Sequence, residues 1–315
     1  MEFDIVLLIL LFYVLGKSSE WVTDSLVGLG IRLKVNKFLM GFVVLGLATT
    51  APEFLVAINA IVTKVPALSL GNILGASFVL LTLVAGLSIL LSRQINIFRG
   101  ISVRELLILN VVILLPAALV LDGMLSRIDG IILIVAYVAY IVYIITKKNI
   151  LNNATMSLIN GKEGRPGKLI GFLVLGLIVM TMAAKYAVDI GMEIASGFSI
   201  PPLVIGLIAF SIGTNLPELV IAFETRASYK KYILFGDLLG SSAANSLIIG
   251  LVAFFHPIQA SDMSFIYLMA VFLAGGVLAF NITALTQRKL VRGEGFLLIG
   301  VYVLFIASAI LLNLL

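Results

Sequence analysis

The chain has 315 residues, of which 61% are hydrophobic and only 12% charged. A soluble domain carries about twice that charged fraction, and apolar stretches of membrane-spanning length recur from one end to the other, so a soluble core with a single anchor is excluded. The net charge of +5 follows from how basic residues are distributed between loops and requires no nucleic-acid partner, and the lack of Cys removes disulfides, thiolate metal sites and Cys nucleophiles.

With 28 Gly and little alternation of apolar and polar residues, the segments read as helices rather than barrel strands. In chain order, ten spans are expected at roughly 3–30, 37–62, 66–91, 105–121, 129–146, 168–195, 201–224, 231–255, 264–285 and 295–314. The start at Met1-Glu2-Phe3-Asp4 has no basic n-region, so no cleaved leader is expected.

Basic residues sort by this division. Arg32, Lys34 and Lys37 follow span one, Arg93, Arg99 and Arg104 follow span three, and Lys147, Lys148, Lys162, Arg165 and Lys168 follow span five. Arg226, Lys230, Lys231, Arg288, Lys289 and Arg292 continue the series after spans seven and nine. Even-numbered spans are followed only by Lys64 and Arg127, and Lys17 and Lys185 lie within spans. The positive-inside rule then places both termini outside the cell membrane and the 147–168 loop in the cytoplasm.

Two segments match without gaps. Gly41–Glu53 reads GFVVLGLATTAPE and Gly206–Glu218 reads GLIAFSIGTNLPE; GNILGAS at Gly71–Ser77 matches GDLLGSS at Gly236–Ser242. The offset is 165 residues throughout and also pairs Asp24 with Asp189. Equivalent spans differ by five, an odd number, so the halves are expected to lie in opposite orientations, the pattern of secondary transporters. The expected units are 1–146 and 168–315, joined by a 147–167 linker too short for a regulatory domain. The fold class is therefore an all-α polytopic membrane protein of two inverted five-helix repeats.

Each copy carries a Thr before Pro-Glu: Thr49 with Pro52 and Glu53, and Thr214 with Pro217 and Glu218. Proline removes a backbone donor and clashes with the carbonyl four residues earlier, which should free carbonyls around Gly46–Ala48 and Ser211–Gly213. Carbonyls, Thr hydroxyls and carboxylates form an oxygen-only donor set, suited to Ca²⁺ or Na⁺ rather than softer metals. One Pro-Glu step alone would also fit a kinked helix with a snorkelling or protonated carboxylate; two related copies favour a paired site. The Gly71/Gly75 and Gly236/Gly240 pairs allow close helix approach. Asp237, Ser241 and Asn245 share one helical face, where the first half has Asn72, Ala76 and Leu80.

These paired motifs resemble the α-repeats of the cation/calcium exchanger superfamily, most closely its prokaryotic Na⁺/Ca²⁺ exchangers, over essentially the whole chain. The resemblance implies a central Ca²⁺ held by Glu53 and Glu218 with Thr49 and Thr214. It implies flanking Na⁺ sites using the carbonyls of Gly46 and Ser211 and the positions of Ala76 and Ser241, and a further polar pair at Leu80 and Asn245. Ala76 lacks the family's hydroxyl, Leu80 lacks its Asn, Asn245 stands where many members have Asp, and Asp237 stands where they have Asn. The expected function is secondary antiport of Ca²⁺ against Na⁺ by alternating access, with H⁺ open as the alternative coupling ion, no cofactor and a functional monomer.

Lys17, Glu20 and Asp24 share a face of span one, and Lys185, Asp189 and Glu193 a face of span six. The resemblance implies that these two spans slide as a tilted pair, their polar faces flanking water-filled access routes; the other reading is that both spans end earlier and the charges lie in loops. His256 before Pro257 reads as a loop residue, and the Asn153 sequon falls in the cytoplasmic linker. A passive channel does not account for inverted halves. An intramembrane aspartyl protease, suggested by Phe235-Gly236-Asp237, would need a facing aspartate, and Asp189 lacks the expected context. An enzyme is not expected.

Overall fold

The computed structural model describes residues 2–32, 45–91, 102–147, 165–224, 228–260, 262–286 and 292–314. The start of the first motif (41–44), linker residues 148–164 and the Asn153 sequon lie outside the described residues. In chain order the elements are α1 (Glu2–Arg32), α2 (Leu45–Thr49), α3 (Ala51–Val62), α4 (Pro66–Leu90), α5 (Val103–Leu119) and α6 (Arg127–Lys147). They continue with α7 (Pro166–Gly197), α8 (Pro202–Thr214), α9 (Leu216–Glu224), α10 (Ser228–Phe255), α11 (Met263–Thr286) and α12 (Arg292–Leu314).

Among the described residues, eight helices are long and apolar enough to cross a membrane: α1, α4, α5, α6, α7, α10, α11 and α12. Backbone donors and acceptors in lipid must be satisfied within the segment, which these helices achieve. The chain is an integral, multi-pass membrane protein. Spans two and seven of the ten-span expectation coincide instead with interrupted helices, α2–α3 and α8–α9. The all-α expectation needs one amendment. A two-residue antiparallel pair, β1 (Met124–Leu125) with β2 (Ile258–Gln259), ties the α5–α6 connection to the α10–α11 connection. Gly123 precedes it with φ of 96°, a conformation that disfavours a side chain, and its carbonyl accepts from the Ala260 N–H at 2.8 Å.

The core sits around α4 and α10, whose spanning windows are 83% and 78% buried, against 22% for α7 and 28% for α12. Small residues explain how α4 reaches the centre. A Cβ at Gly71 would strike the Leu203 carbonyl oxygen, and one at Gly206 would strike that of Leu68, so α4 and α8 cross backbone to backbone. The related crossing brings α10 against α2, where a Cβ added to Gly46 would lie 3.5 Å from the Gly240 backbone. Each copy of the Pro-Glu motif is thus held by the Gly-rich helix of the other half.

Helices α1 and α7 pack along one another, with Val22 and Ser18 over Gly176 and the Trp21 and Phe172 rings 6.1 Å apart. The pair leans on the broken helices through Phe12, which covers Gly213 and meets the Phe210 ring edge-on at 5.2 Å, and through Gly16 against Pro217. Both helices run unbroken past their charges. The reading of Lys17, Glu20, Asp24, Lys185, Asp189 and Glu193 as loop residues is therefore overturned: all six are helical.

Candidate functional site

In the first half, α2 ends at Thr49, the chain turns at Thr50 (φ −88°, ψ 6°), and α3 starts with Pro52 in its second position. In the second half, α8 ends at Thr214, Asn215 makes the turn (φ −95°, ψ 15°), and α9 starts at Leu216 before Pro217. Proline fits the first turn of a helix, where its missing N–H has no intrahelical acceptor, so each Pro starts a new helix rather than bending an old one. Glu53 and Glu218 consequently occupy the first turns of α3 and α9, at the positive ends of the helix dipoles.

The carbonyls expected to be freed are capped by neighbouring side chains. Gly46 O accepts from the Thr50 hydroxyl at 3.0 Å and from the Thr49 hydroxyl at 3.3 Å. Ser211 O accepts from the Asn215 amide at 2.8 Å. Thr50 and Asn215 are related by the same 165-residue offset, a polar pair that sequence reasoning passed over although it stands within the matched motifs.

Glu53 and Glu218 are 2% and 4% exposed, and Oε2 of each is buried without a hydrogen-bond partner. The end of α8 that carries Thr214 touches α3, which carries Glu53, so the two motifs meet. Glu218 is within Coulombic reach of both Glu53 and Asp237. No Lys or Arg pairs with these three carboxylates among the described residues. Leaving buried acidic oxygens unpaired is costly, and either a bound cation or a proton on the carboxyl removes the cost.

Asp237 does reach this region. Its Oδ1 accepts from the Thr49 hydroxyl at 3.2 Å and from Ser241 at 3.4 Å, and the Thr49 and Ser241 hydroxyls are 2.8 Å apart. Its partners are hydroxyls from both halves and not a second aspartate, which removes the geometry an aspartyl protease needs. The related pair in the other half is Thr214 donating to Asn72 Oδ1 at 3.4 Å. Asn245 donates to Ser77 at 3.1 Å and keeps its Oδ1 buried and unpartnered. Ser77 in turn donates to the Ser242 carbonyl at 3.5 Å; these two serines are also offset by 165 residues and meet each other. Ala76 and Leu80 are wholly buried and offer no side-chain oxygen. Leu80 opens a widened turn whose carbonyl accepts from the Ala85 N–H, and a like turn in α8 joins Gly206 O to the Ser211 N–H. Such one-turn expansions often accompany functional sites in helices.

Among the described residues no three His, Cys, Asp or Glu side chains cluster as around a resident metal. The donor set is mixed: two buried carboxylates, a third beside them, hydroxyls, amides and carbonyls. The charges on α1 and α7 stand elsewhere. Lys17 pairs with Glu20 at 2.9 Å on an exposed face, Lys185 and Glu193 are exposed, and Asp189 is half-buried. His256 is exposed just beyond α10.

A family model described as sodium/calcium exchanger protein matches residues 3–146 and 168–311. The inner membrane protein YrbG of Escherichia coli is 29% identical over 281 residues, covering 87% of this chain and 86% of the relative. The sodium/calcium exchanger MaX1 of Methanosarcina acetivorans is 26% identical over 352 residues, covering 97% of each. A solved structure of the sodium-calcium exchanger NCX_Mj, soaked with Na⁺ and Ca²⁺, superposes with a TM-score of 0.66 at 23% identity, covering 97% of this chain and 98% of that one, a likeness of fold.

Proposed function

The chain belongs to the sodium/calcium exchanger family, and from that premise we propose that it is a Ca²⁺ antiporter driven by Na⁺, with Ca²⁺ carried between Glu53 and Glu218. The observation that carries this is the pair of buried, unpartnered Glu oxygens at two proline-started helices. Two carboxylates neutralise one divalent ion, and Thr49 and Thr214 supply further oxygens that Ca²⁺ requires, while the Gly46 and Ser211 carbonyls serve the flanking Na⁺. For these carbonyls to serve, the Thr50 and Asn215 caps need only share them, since a carbonyl has two lone pairs. Ser241 and Asn245 are the side-chain oxygens we assign to Na⁺.

In this reading the eight long helices and the two interrupted ones make ten spans, in inverted units of residues 1–146 and 168–315 joined by the cytoplasmic linker 147–167. Both termini face outward from the cell membrane, and a single copy in lipid suffices because each half supplies one carboxylate. No cofactor takes part. Alternating access in this reading is carried by sliding of the α1–α7 pair against the α4–α10 core, the motion the resemblance implies; the pair touches the broken helices through Phe12 and Gly16.

A second reading has a specific observation behind it. Ala76 and Leu80 carry no oxygen where the resemblance has polar ligands, which favours protons as the driving ion over several bound Na⁺. Flux of ⁴⁵Ca²⁺ into everted vesicles, under an imposed Na⁺ gradient and then an imposed pH gradient, separates the two. Uptake driven by Na⁺ is expected; uptake driven by pH alone would give the function to the proton reading, and uptake without any trans ion would indicate a channel.

A further inference from the structure

We infer that the outward faces of α1 and α7 carry two lipid sites, one in each leaflet, each taking the headgroup of a zwitterionic aminophospholipid, with the phosphate on Lys17 or Lys185 and the ammonium on the acids that follow. The inference concerns the lipid around the protein and stands whichever ion is carried.

On α1, Val6, Leu10, Tyr13, Lys17, Glu20 and Asp24 are exposed and recur every three or four residues. Leu8, Phe12, Leu15, Ser19 and Val22 recur in the same rhythm and are buried, so the charges point away from the face that packs. On α7, Met182, Lys185 and Glu193 are exposed and Asp189 is half-buried, opposite Met180, Ala184, Ala187 and Gly191. Gly16 packs on Pro217, at the break of a crossing segment, so Lys17 lies near the middle of the membrane. Charges facing lipid at that depth are expensive unless polar groups reach them.

The helices are antiparallel, since Gly28 meets Leu169 and Ser18 meets Gly176. Each stripe begins at its Lys and runs toward the C-terminal end of its helix, so the two run to opposite surfaces. In both, the Lys is deepest and two acids follow, at about 4.5 and 10 Å along α1 and about 6 and 12 Å along α7 by helical rise. An aminophospholipid enters in the same order, phosphate deeper and ammonium nearer the water. Lys17 already holds Glu20 at 2.9 Å, which keeps the phosphate and ammonium partners side by side. An anionic headgroup would meet two acids without offering them a cation. A second copy set along α1 by a twofold axis would place Lys17 against Lys17 and Asp24 against Asp24.

An independent observation marks the same depth as interfacial. Trp21 and Tyr186, related by the 165-residue offset, are 37% and 51% exposed beside the two stripes. Their amphipathic rings favour the level of headgroups. The bilayer therefore thins beside the α1–α7 pair, in one leaflet at α1 and in the other at α7.

The test is titration of the delipidated full-length protein in detergent, in Ca²⁺-free buffer, with phosphatidylethanolamine, phosphatidylcholine or phosphatidylglycerol of matched chains, bound copies being counted by native mass spectrometry. Two copies of phosphatidylethanolamine are expected, held about tenfold more tightly than phosphatidylcholine, whose methylated ammonium donates no hydrogen bond, and more tightly than phosphatidylglycerol. Lys17→Gln and Lys185→Gln should each remove one copy; should either variant fail to fold, the other reads its own stripe alone. Exchanging the pair, Lys17→Glu with Glu20→Lys, keeps the net charge and the bond within the helix but inverts the order, and should also lose one copy. A salt bridge of purely structural value would not show that loss. Equal affinity for the three lipids, preference for phosphatidylglycerol, two copies retained by both Lys variants, or a dimer that disappears when either stripe is neutralised would overturn the assignment.

Discussion

Glu53 and Glu218 each take the third position of a helix that a proline opens, and neither has a basic partner among the described residues. Their value lies in charge and not in shape. Glu53→Gln or Glu218→Gln keeps the volume and removes one charge, so Ca²⁺ affinity should fall roughly tenfold to a hundredfold in equilibrium binding, the range of one charged interaction. A drop below threefold in both would detach these residues from the ion. Thr50 and Asn215 have a different task. Asn215 donates to the Ser211 carbonyl, and Thr50 to that of Gly46. Asn215→Ala should therefore cost about 1–3 kcal/mol of stability, the penalty of an unsatisfied buried carbonyl, read as a lower unfolding temperature in detergent. An unchanged unfolding temperature would show that another group satisfies Ser211. At this scale the sequence was informative about Glu, Pro and Thr, whose chemistry is local. It was silent on the cap of each carbonyl, which depends on the rotamer of the next polar residue.

The element that positions the site is the crossing of a Gly-rich helix with a broken one. At Gly71 and Gly206 the two backbones are in contact, so a side chain there has no room. Gly206→Ala should destabilise the protein by about 1–3 kcal/mol or abolish its folded yield, as overpacking does. Gly300→Ala, with nothing within 4 Å of the added methyl, should leave the unfolding temperature alone. Equal behaviour of the two variants would refute the crossing. The motif GNILGAS announced a close helix approach, but not to what. That α4 meets α8 and α10 meets α2, an exchange of partners between halves, is a long-range fact that local spacing does not encode. The widened turns at Leu80–Val84 and Gly206–Phe210 were likewise unreadable, since one extra residue in a turn leaves no compositional trace. The short β1–β2 pair escaped notice because two residues show no alternation.

For the molecule as a whole, apolar length and the 165-residue offset made the multi-pass helical fold legible, because the membrane leaves few ways to satisfy a backbone. Orientation rests on basic residues in loops, and it can be checked directly. The chain has no Cys, so a single introduced thiol reports its own side. Lys162→Cys should react with an impermeant maleimide only from the cytoplasm, and Gln259→Cys only from outside; the reverse pattern would invert the topology. The α1–α7 pair is held to the core mainly by its contacts with α2, α3, α8 and α9. All of this serves one central claim, that two glutamates from opposite halves jointly carry the transported Ca²⁺. The most direct test is ⁴⁵Ca²⁺ uptake into everted vesicles by the Glu53→Gln, Glu218→Gln double variant, matched to wild type for protein in the membrane. Uptake at the level of empty vesicles is the expected result, and uptake equal to that of wild type would contradict the claim.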